Sequence, residues 1–351
     1  MAAKNETLDK MSSQVSAQAT PERVMQTVWS LVQPLALDAA VQNHVFDVLD
    51  AGPKTLEEVS RATGASIRGL AAVMNLLVGI QFLAKTADGR YSLTPESSAF
   101  LVSTKPAYQG GFVHQVVSGL ITDFLPLAEI VRVGKTVESQ VDSPEAAGFF
   151  EQLVGNILPV AYPGARAVAE ALGVSGAVQP VSVLDIGAGS GVWGIALAQA
   201  SPHVRVTAVD LPGVLPVTRK ITQQFGVGDQ FTCVGKDIFQ DDLGGGYSIA
   251  TLGHILHMAS PDRNRYLLKN IFRALVPGGT LVIGEFIVNE DRTGPVESLA
   301  FAVNMLVHTE HGNAYTLGEM SSWLHEAGFV NVRTLVAPAP SPLILADKPQ
   351  L

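Results

Sequence analysis

From Val24 to Leu49 apolar residues recur at helical spacing, and Pro34 interrupts the run, so the pattern predicts two helices. Thr20-Pro21-Glu22 marks their start with a capping hydroxyl, a proline where no amide hydrogen is needed, and an early acid facing the helix dipole. A capping box at Thr55-Leu56-Glu57-Glu58 opens the next helix, and Gly64-Ala65-Ser66 separates it from another. Phe82-Leu83-Ala84-Lys85 and Arg90-Tyr91-Ser92-Leu93 flank Asp88-Gly89, the chemistry of a hairpin turn. Helix, turn, helix and hairpin in that order spell a winged helix over residues 20–110. Thr94-Pro95-Glu96 caps a further helix, and helical segments form a connector over residues 111–172. Residues 1–19 are polar and aperiodic and are expected to be disordered.

Beyond residue 173 the period changes. Val181 to Ile186, Val204 to Asp210, Phe231 to Gly235, Ser248 to Gly253 and Thr280 to Phe286 are apolar runs of strand length with helical patterns between them. That alternation predicts a parallel sheet with right-handed crossovers. Gly328 to Val336 and Leu343 to Ala346 read as two closing strands joined by a proline-rich loop. The expected fold is α/β: a doubly wound, mostly parallel, seven-stranded Rossmann-like sheet over residues 173–351, after a mainly α winged-helix domain.

Composition narrows the classes. A length of 351 residues favours two domains. The hydrophobic fraction of 47%, the charged fraction of 16% and a mean hydropathy of +0.27 call for a large core or an apolar surface covered by a second copy. No uninterrupted apolar run reaches the ~18 residues that span a bilayer. The first residues lack the build of a signal peptide, so no membrane partner and a cytoplasmic location are expected. The net charge of −9 disfavours nucleic acid. The second helix of the winged helix agrees, since Arg68 is the one basic residue between Ile67 and Ile80. The single cysteine, Cys233, sits in an apolar strand pattern and reads as a buried, inert thiol. Eight histidines are scattered without zinc spacing.

The chemistry concentrates after the first strand of the sheet. Val183-Leu184-Asp185-Ile186-Gly187-Ala188-Gly189-Ser190-Gly191 is an apolar strand that meets an acid and runs into three glycines at alternating positions, the build of a turn that cradles a nucleoside. The next strand ends on Asp210, where a doubly wound sheet holds ribose hydroxyls. Gly189, Gly191 and Gly194 also satisfy the dinucleotide pattern G-x-G-x-x-G, so the loop alone leaves an NAD enzyme open. Asp185 inside the motif favours a positively charged sulfonium cofactor, although a role bracing the loop accounts for it as well.

Downstream residues favour the sulfonium cofactor through a resemblance. Leu256-His257, Ser260-Pro261-Asp262, and Leu275-Val276-Pro277-Gly278-Gly279 leading into Thr280 to Glu285 are similar to the motifs of S-adenosylmethionine-dependent small-molecule O-methyltransferases with an N-terminal winged-helix dimerisation domain. The similarity covers nearly everything after residue 20. It implies S-adenosylmethionine as cofactor, S-adenosylhomocysteine as product, a homodimer, a small-molecule acceptor with a hydroxyl, and His257 as general base with Glu285 orienting it. It further implies that Gly187, Gly189 and Gly191 form the cofactor loop, that Asp210 and Leu211 meet the ribose side, and that Asp237 and Ile238 meet the adenine. A turn carboxylate capping its own backbone is the plain alternative for Asp237. Asn304, Met305 and His308 fall on the family's substrate-lining helix, where an apolar helix face accounts equally for Met305.

The pattern is not followed everywhere. Met258 and Ala259 replace the aspartate and tryptophan that commonly follow the base, and Gly253 stands where the family's plant members carry a basic residue four positions before it. The family's second acid falls on Ala314, with Glu310 as a substitute from the same loop. No carboxylate cluster with metal-ligand logic stands near His257, so a metal-independent reaction is expected. His254 reads as a structural residue within the strand. These departures keep non-methylating or C- or N-methylating chemistry on the same scaffold open; the rival readings on other grounds are a winged-helix regulator that senses the nucleoside and, from the glycine loop, an NAD dehydrogenase.

Overall fold

The computed structural model describes residues 19–134 and 146–350, so the stretch expected to be disordered lies outside the described residues except for Ala19. The chain divides into Met1–Ser118 and Gly119–Leu351. In the first unit α1 (Glu22–Trp29), α2 (Val32–Gln42) and α3 (Val45–Asp50) come from the long apolar run. The break falls at Ser30-Leu31, and Pro34 sits in the first turn of α2, where its missing amide hydrogen is harmless. Thr20 does not cap α1, because Pro21 occupies the N-cap position and no side chain caps the helix. A third helix appears because His44 takes a left-handed backbone, φ 55°, and restarts the chain.

Next come α4 (Leu56–Thr63) and α5 (Ile67–Gly79), then the antiparallel hairpin β1 (Leu83–Lys85) and β2 (Tyr91–Leu93), and α6 (Pro95–Phe100). The capping box at α4 forms in both directions: Glu58 N donates to Thr55 Oγ1 at 3.2 Å and Thr55 N donates to Glu58 Oε2 at 2.7 Å. Phe46, Leu49, Val59, Met74, Leu77, Leu83 and Tyr91 form this unit's core. On α1, in contrast, no residue is buried, and Val24, Val28 and Trp29 stand exposed.

After α7 (Gly110–Leu120), α8 (Leu127–Val133) and the long α9 (Ala146–Ala171), strands and helices alternate. They run β3 (Val181–Ile186), α10 (Val192–Ala200), β4 (Val204–Asp210), α11 (Leu215–Gln224), β5 (Phe231–Gly235), β6 (Tyr247–Gly253), α12 (Pro261–Ala274) and β7 (Leu275–Gly284). The short strands β8 (Ile287–Val288) and β9 (Tyr315–Thr316) bracket α13 (Val296–His308), and α14 (Leu317–Ala327), β10 (Val330–Leu335) and β11 (Leu343–Asp347) close the chain. The seven-stranded order is β10-β11-β7-β6-β3-β4-β5. The five strands from β7 to β5 are parallel, β11 runs antiparallel to β7, and β10 runs antiparallel to β11.

Both faces of the sheet are covered, which is why its strands read as nearly continuous apolar runs. Leu184, Ile186, Leu252, Leu281 and Ile283 pack toward Leu267, Ile271, Trp323 and Leu324 of α12 and α14. Val183, Val206, Ile249 and Val282 pack on the other side with Val168, Trp193, Ile195 and Ile221 of α9, α10 and α11. The strand order reverses direction between β3 and β6, and ligands of doubly wound sheets bind beyond the carboxyl ends at such a switch point. Among the described residues no single helix is long and apolar enough to cross a membrane.

Candidate active site

The glycine loop leaves β3 at the switch point. Gly187, Gly189 and Gly191 have φ of 61°, 53° and 77°, left-handed values that explain the residue type at once. Side chains also close on the loop: a Cβ on Gly187 would overlap Ile255, and one on Gly189 would lie 3.2 Å from Val154 Cγ1. Asp210 holds the loop from the neighbouring strand, accepting from Gly189 N at 2.8 Å and from Leu211 N at 2.7 Å. Thr218 Oγ1 donates to Gly189 O at 2.7 Å. Burial raises the Asp210 carboxyl above its ordinary range against these amide bonds. Each of its oxygens keeps a lone pair for a ribose hydroxyl.

Asp185 lies beneath the loop. It is fully buried, its Oδ1 accepts from Thr251 Oγ1 at 2.7 Å, and its Oδ2 accepts from Gly194 N at 3.1 Å. That arrangement braces the turn, and it departs from the expected cofactor contact because neither oxygen faces outward. Burial pushes its carboxyl up to about 7, with the two hydrogen bonds opposing. Asp237 makes the plain turn considered for it: Oδ1 accepts from Phe239 N at 2.9 Å. Ile238 is buried against the core, while Leu211 is exposed beside Asp210. The left-handed loop, the carboxylate at the end of β4 and the exposed Leu211 fit a nucleoside cofactor with free ribose hydroxyls.

His257 sits in a short turn just beyond β6, and Glu285 directly follows β7. Both are buried. His257 Nδ1 lies 2.9 Å from Glu285 Oε2, while Oε1 accepts from His257 N at 3.2 Å and Oε2 from Phe286 N at 3.1 Å. A carboxylate only accepts, so the proton of a neutral His257 ring belongs on Nδ1 and Nε2 carries the lone pair. Burial alone would raise the Glu285 carboxyl, but the charge of His257 and its hydrogen bonds outweigh that and hold it below its ordinary range. The turn itself is pinned by Asn264 Nδ2 donating to Leu256 O at 2.8 Å, Tyr315 Oη to Ala259 O at 2.6 Å, and Asn313 N to His257 O at 2.9 Å.

Aromatic rings surround the base, and reading the motifs missed them. Phe301 meets the His257 ring edge-on at 4.8 Å, and Phe286 stacks on Phe301 at 3.8 Å. The spacing Phe301, Met305, His308 places all three on one face of α13, a signal that was available. His308 does not offer a free ring to a substrate, as was expected of it: Nδ1 pairs with Asn304 O at 2.9 Å and Nε2 with Asp123 Oδ2 at 3.1 Å. Met305 is buried, and Asn304 Oδ1 is buried without a hydrogen-bond partner among the described residues.

Further departures concern the family's missing groups. Glu310 does not replace the second acid, because its exposed carboxylate faces His311 at 3.7 Å. Ala314 at that position is fully buried. Gly253 has a partner that explains it: a Cβ there would overlap Trp193 Nε1, and one on Gly284 would lie 2.8 Å from Trp193 Cζ2. The indole thus reaches across the ends of β6 and β7, where a larger side chain has no room. No carboxylate cluster was expected near His257; the group found there among the described residues is two histidines and one carboxylate, with ligand atoms of His254, His257 and Glu285 within 4.8 Å of one another. His254 lies beyond the strand rather than in it. Cys233 on the edge strand is only partly buried, and burial raises its thiol.

The chain is similar to known proteins over both units. Residues 165–330 match an O-methyltransferase domain, and residues 25–103 match an O-methyltransferase dimerisation domain. The tetracenomycin polyketide synthesis 8-O-methyl transferase of Streptomyces glaucescens is 30% identical over 94% of this chain and 97% of its own. The 3-hydroxy-5-methyl-1-naphthoate 3-O-methyltransferase of Streptomyces sahachiroi is 31% identical over 85% and 86%. Human N-acetylserotonin methyltransferase, solved in complex with S-adenosylmethionine, superposes with a TM-score of 0.81 at 25% identity over 96% of this chain and all of that one.

Proposed function

This chain belongs to the S-adenosylmethionine-dependent O-methyltransferases with a dimerisation domain, which methylate hydroxyls of small metabolites, and we propose that its acceptor is a phenol and His257 its general base. The observation that carries this reading is the buried His257–Glu285 pair at 2.9 Å, at the carboxyl edge of the sheet beside an aromatic wall. The tetracenomycin polyketide and naphthoate named for the relatives point the same way. When bound, S-adenosylmethionine supplies an electrophilic methyl group on a sulfonium sulfur.

The residues divide the work. Asp210 and Leu211 hold the ribose side, Asp237 and Ile238 the adenine, and Gly187, Gly189 and Gly191 shape the loop, with Asp185 fixing it from below. Glu285 fixes the tautomer of His257, whose Nε2 takes the acceptor's proton. A free phenol and a free imidazole differ by about 3.5 pKa units, about 5 kcal/mol, so the proton leaves during attack rather than before it. Phe286, Phe301 and Met305 hold the acceptor ring. The first unit forms a homodimer through its exposed apolar helix, and the enzyme works in the cytoplasm on small molecules rather than on nucleic acid or membrane.

Labelled S-adenosylmethionine incubated with a panel of phenols and naphthols tests the reading, with methyl ether and S-adenosylhomocysteine expected in equal amounts. His257→Gln should lower kcat on the order of 10²-fold while cofactor affinity stays within a few-fold, because a base acts in the transition state. Near-normal turnover by that variant would remove His257 from the role.

A further inference from the structure

His254 stands three residues before the base and combines two unfavourable features. Its φ is +60°, a left-handed backbone that residues with a β-carbon adopt mainly where the surroundings hold them to it, often at functional sites. Its amide donates to Gly284 O at 2.7 Å, which ties it to the end of β7. Its Nδ1 is buried and has no hydrogen-bond partner among the described residues. A buried nitrogen in that state is destabilising and leaves room for a polar group to pair with it.

The surroundings indicate which group. The His254 ring lies 5.3 Å from the Phe286 ring and 6.4 Å from the His257 ring, so it borders the aromatic wall and the base together. Glu285 already serves His257 twice and the Phe286 amide once. Burial holds the His254 imidazole below its ordinary range, with Glu285 opposing and His257 adding to the effect. A neutral ring has one N–H and one lone pair, and so can pair with a carbonyl or a hydroxyl.

Resting on the phenolic reading above, we infer that His254 binds a second oxygen of the acceptor, a carbonyl or hydroxyl placed ortho or peri to the hydroxyl that His257 deprotonates. The spacing suits this. The two rings stand 6.4 Å apart, centroid to centroid, so two oxygens about 2.7 Å apart, the ordinary O–H···O separation, can each meet one ring. The chemistry suits it as well. In such an acceptor the hydroxyl proton is tied to the neighbouring oxygen. His254 takes over that neighbour, which leaves the proton to His257 Nε2 and steadies the charge that spreads onto a conjugated carbonyl. The acceptor class is therefore a chelated phenol rather than an isolated one.

The test compares 1-naphthol with 1-hydroxy-2-acetonaphthone, in turnover and in calorimetric binding to the protein loaded with S-adenosylhomocysteine. His254→Gly removes the side chain at a backbone angle glycine tolerates, and His254→Asn keeps a polar group in a residue that accepts the left-handed region. The wild type should prefer the chelated acceptor in kcat/KM by about tenfold or more. His254→Gly should erase that preference and His254→Asn restore part of it, with S-adenosylhomocysteine affinity reporting that the variants fold. An unchanged preference in His254→Gly would overturn the inference while leaving the phenolic reading intact. Neither compound binding nor being methylated would overturn the phenolic reading, and the inference with it. Activity that a chelator abolishes and zinc restores would also overturn the inference, assigning the trio to a metal ion.

Discussion

Replacing Glu285 by glutamine keeps its shape and removes its charge, and the geometry predicts how His257 responds. The carboxylate accepts three N–H groups, from His257 Nδ1 at 2.9 Å, His257 N at 3.2 Å and Phe286 N at 3.1 Å. An amide has one oxygen. If it faces His257 Nδ1 and Phe286, the amide NH2 points at the His257 backbone N–H and two buried donors collide. If it turns over, Nδ1 must accept, the ring proton moves to Nε2, and no lone pair remains to take a proton from the acceptor. Either outcome forfeits a charge-assisted hydrogen bond, about 1.5–3 kcal/mol, or about 10- to 150-fold in kcat. Turnover with labelled cofactor on a confirmed phenol measures it, and calorimetry with S-adenosylhomocysteine should show affinity within a few-fold of wild type. Stability offers a second check. The depressed Glu285 carboxyl contributes stability that is present above its ordinary 4.5 and lost as pH falls through the folded value, so the variant should lose less stability on acidification. A kcat within twofold of wild type would refute the role of Glu285.

Two more outcomes follow from the packing beneath the site. Gly253→Ala places a methyl group on the Trp193 indole and should destabilise the protein by about 1–3 kcal/mol, seen as a lower midpoint in urea. Trp193→Leu should recover part of that loss in the double variant, and equal effects with and without the indole would show the contact to be wrongly identified. Asp185, pushed up to about 7, keeps its proton in the folded protein after the unfolded chain has released it near 3.8. The wild type should therefore lose stability as pH rises from about 4 to about 7, on the order of a few kcal/mol. Asp185→Asn should be less stable at every pH but flatter across that window, and parallel profiles would count against the raised carboxyl.

Local patterns carried much of the fold, for identifiable reasons. Strands covered on both faces read as apolar runs whatever packs on them, and the left-handed loop reads as glycines. Pro34 misled because a proline ends a helix only beyond its first turn, whereas the actual break at Ser30-Leu31 is marked by no glycine or proline. At the site, the pairing of His257 with Glu285 was legible because each residue ends its own strand motif. What stayed hidden was contact between distant segments. His308 looks free until Asp123 is folded against it, and Gly253 looks like a deleted basic residue until Trp193 is seen lying on it. Glu310 showed the same limit in reverse: proximity along the chain placed an acid in the right loop, but its side chain turns away to His311.

The helix α1 buries no residue in its own chain and is eight residues long, below the length at which a helix persists in water unaided. In the homodimer proposed above a second copy would cover it, so folding of this segment and assembly would be one equilibrium. The midpoint of thermal unfolding should then climb with protein concentration, and dilution alone should release the segment. In a cell the amount of the enzyme would set its integrity as well as its total activity.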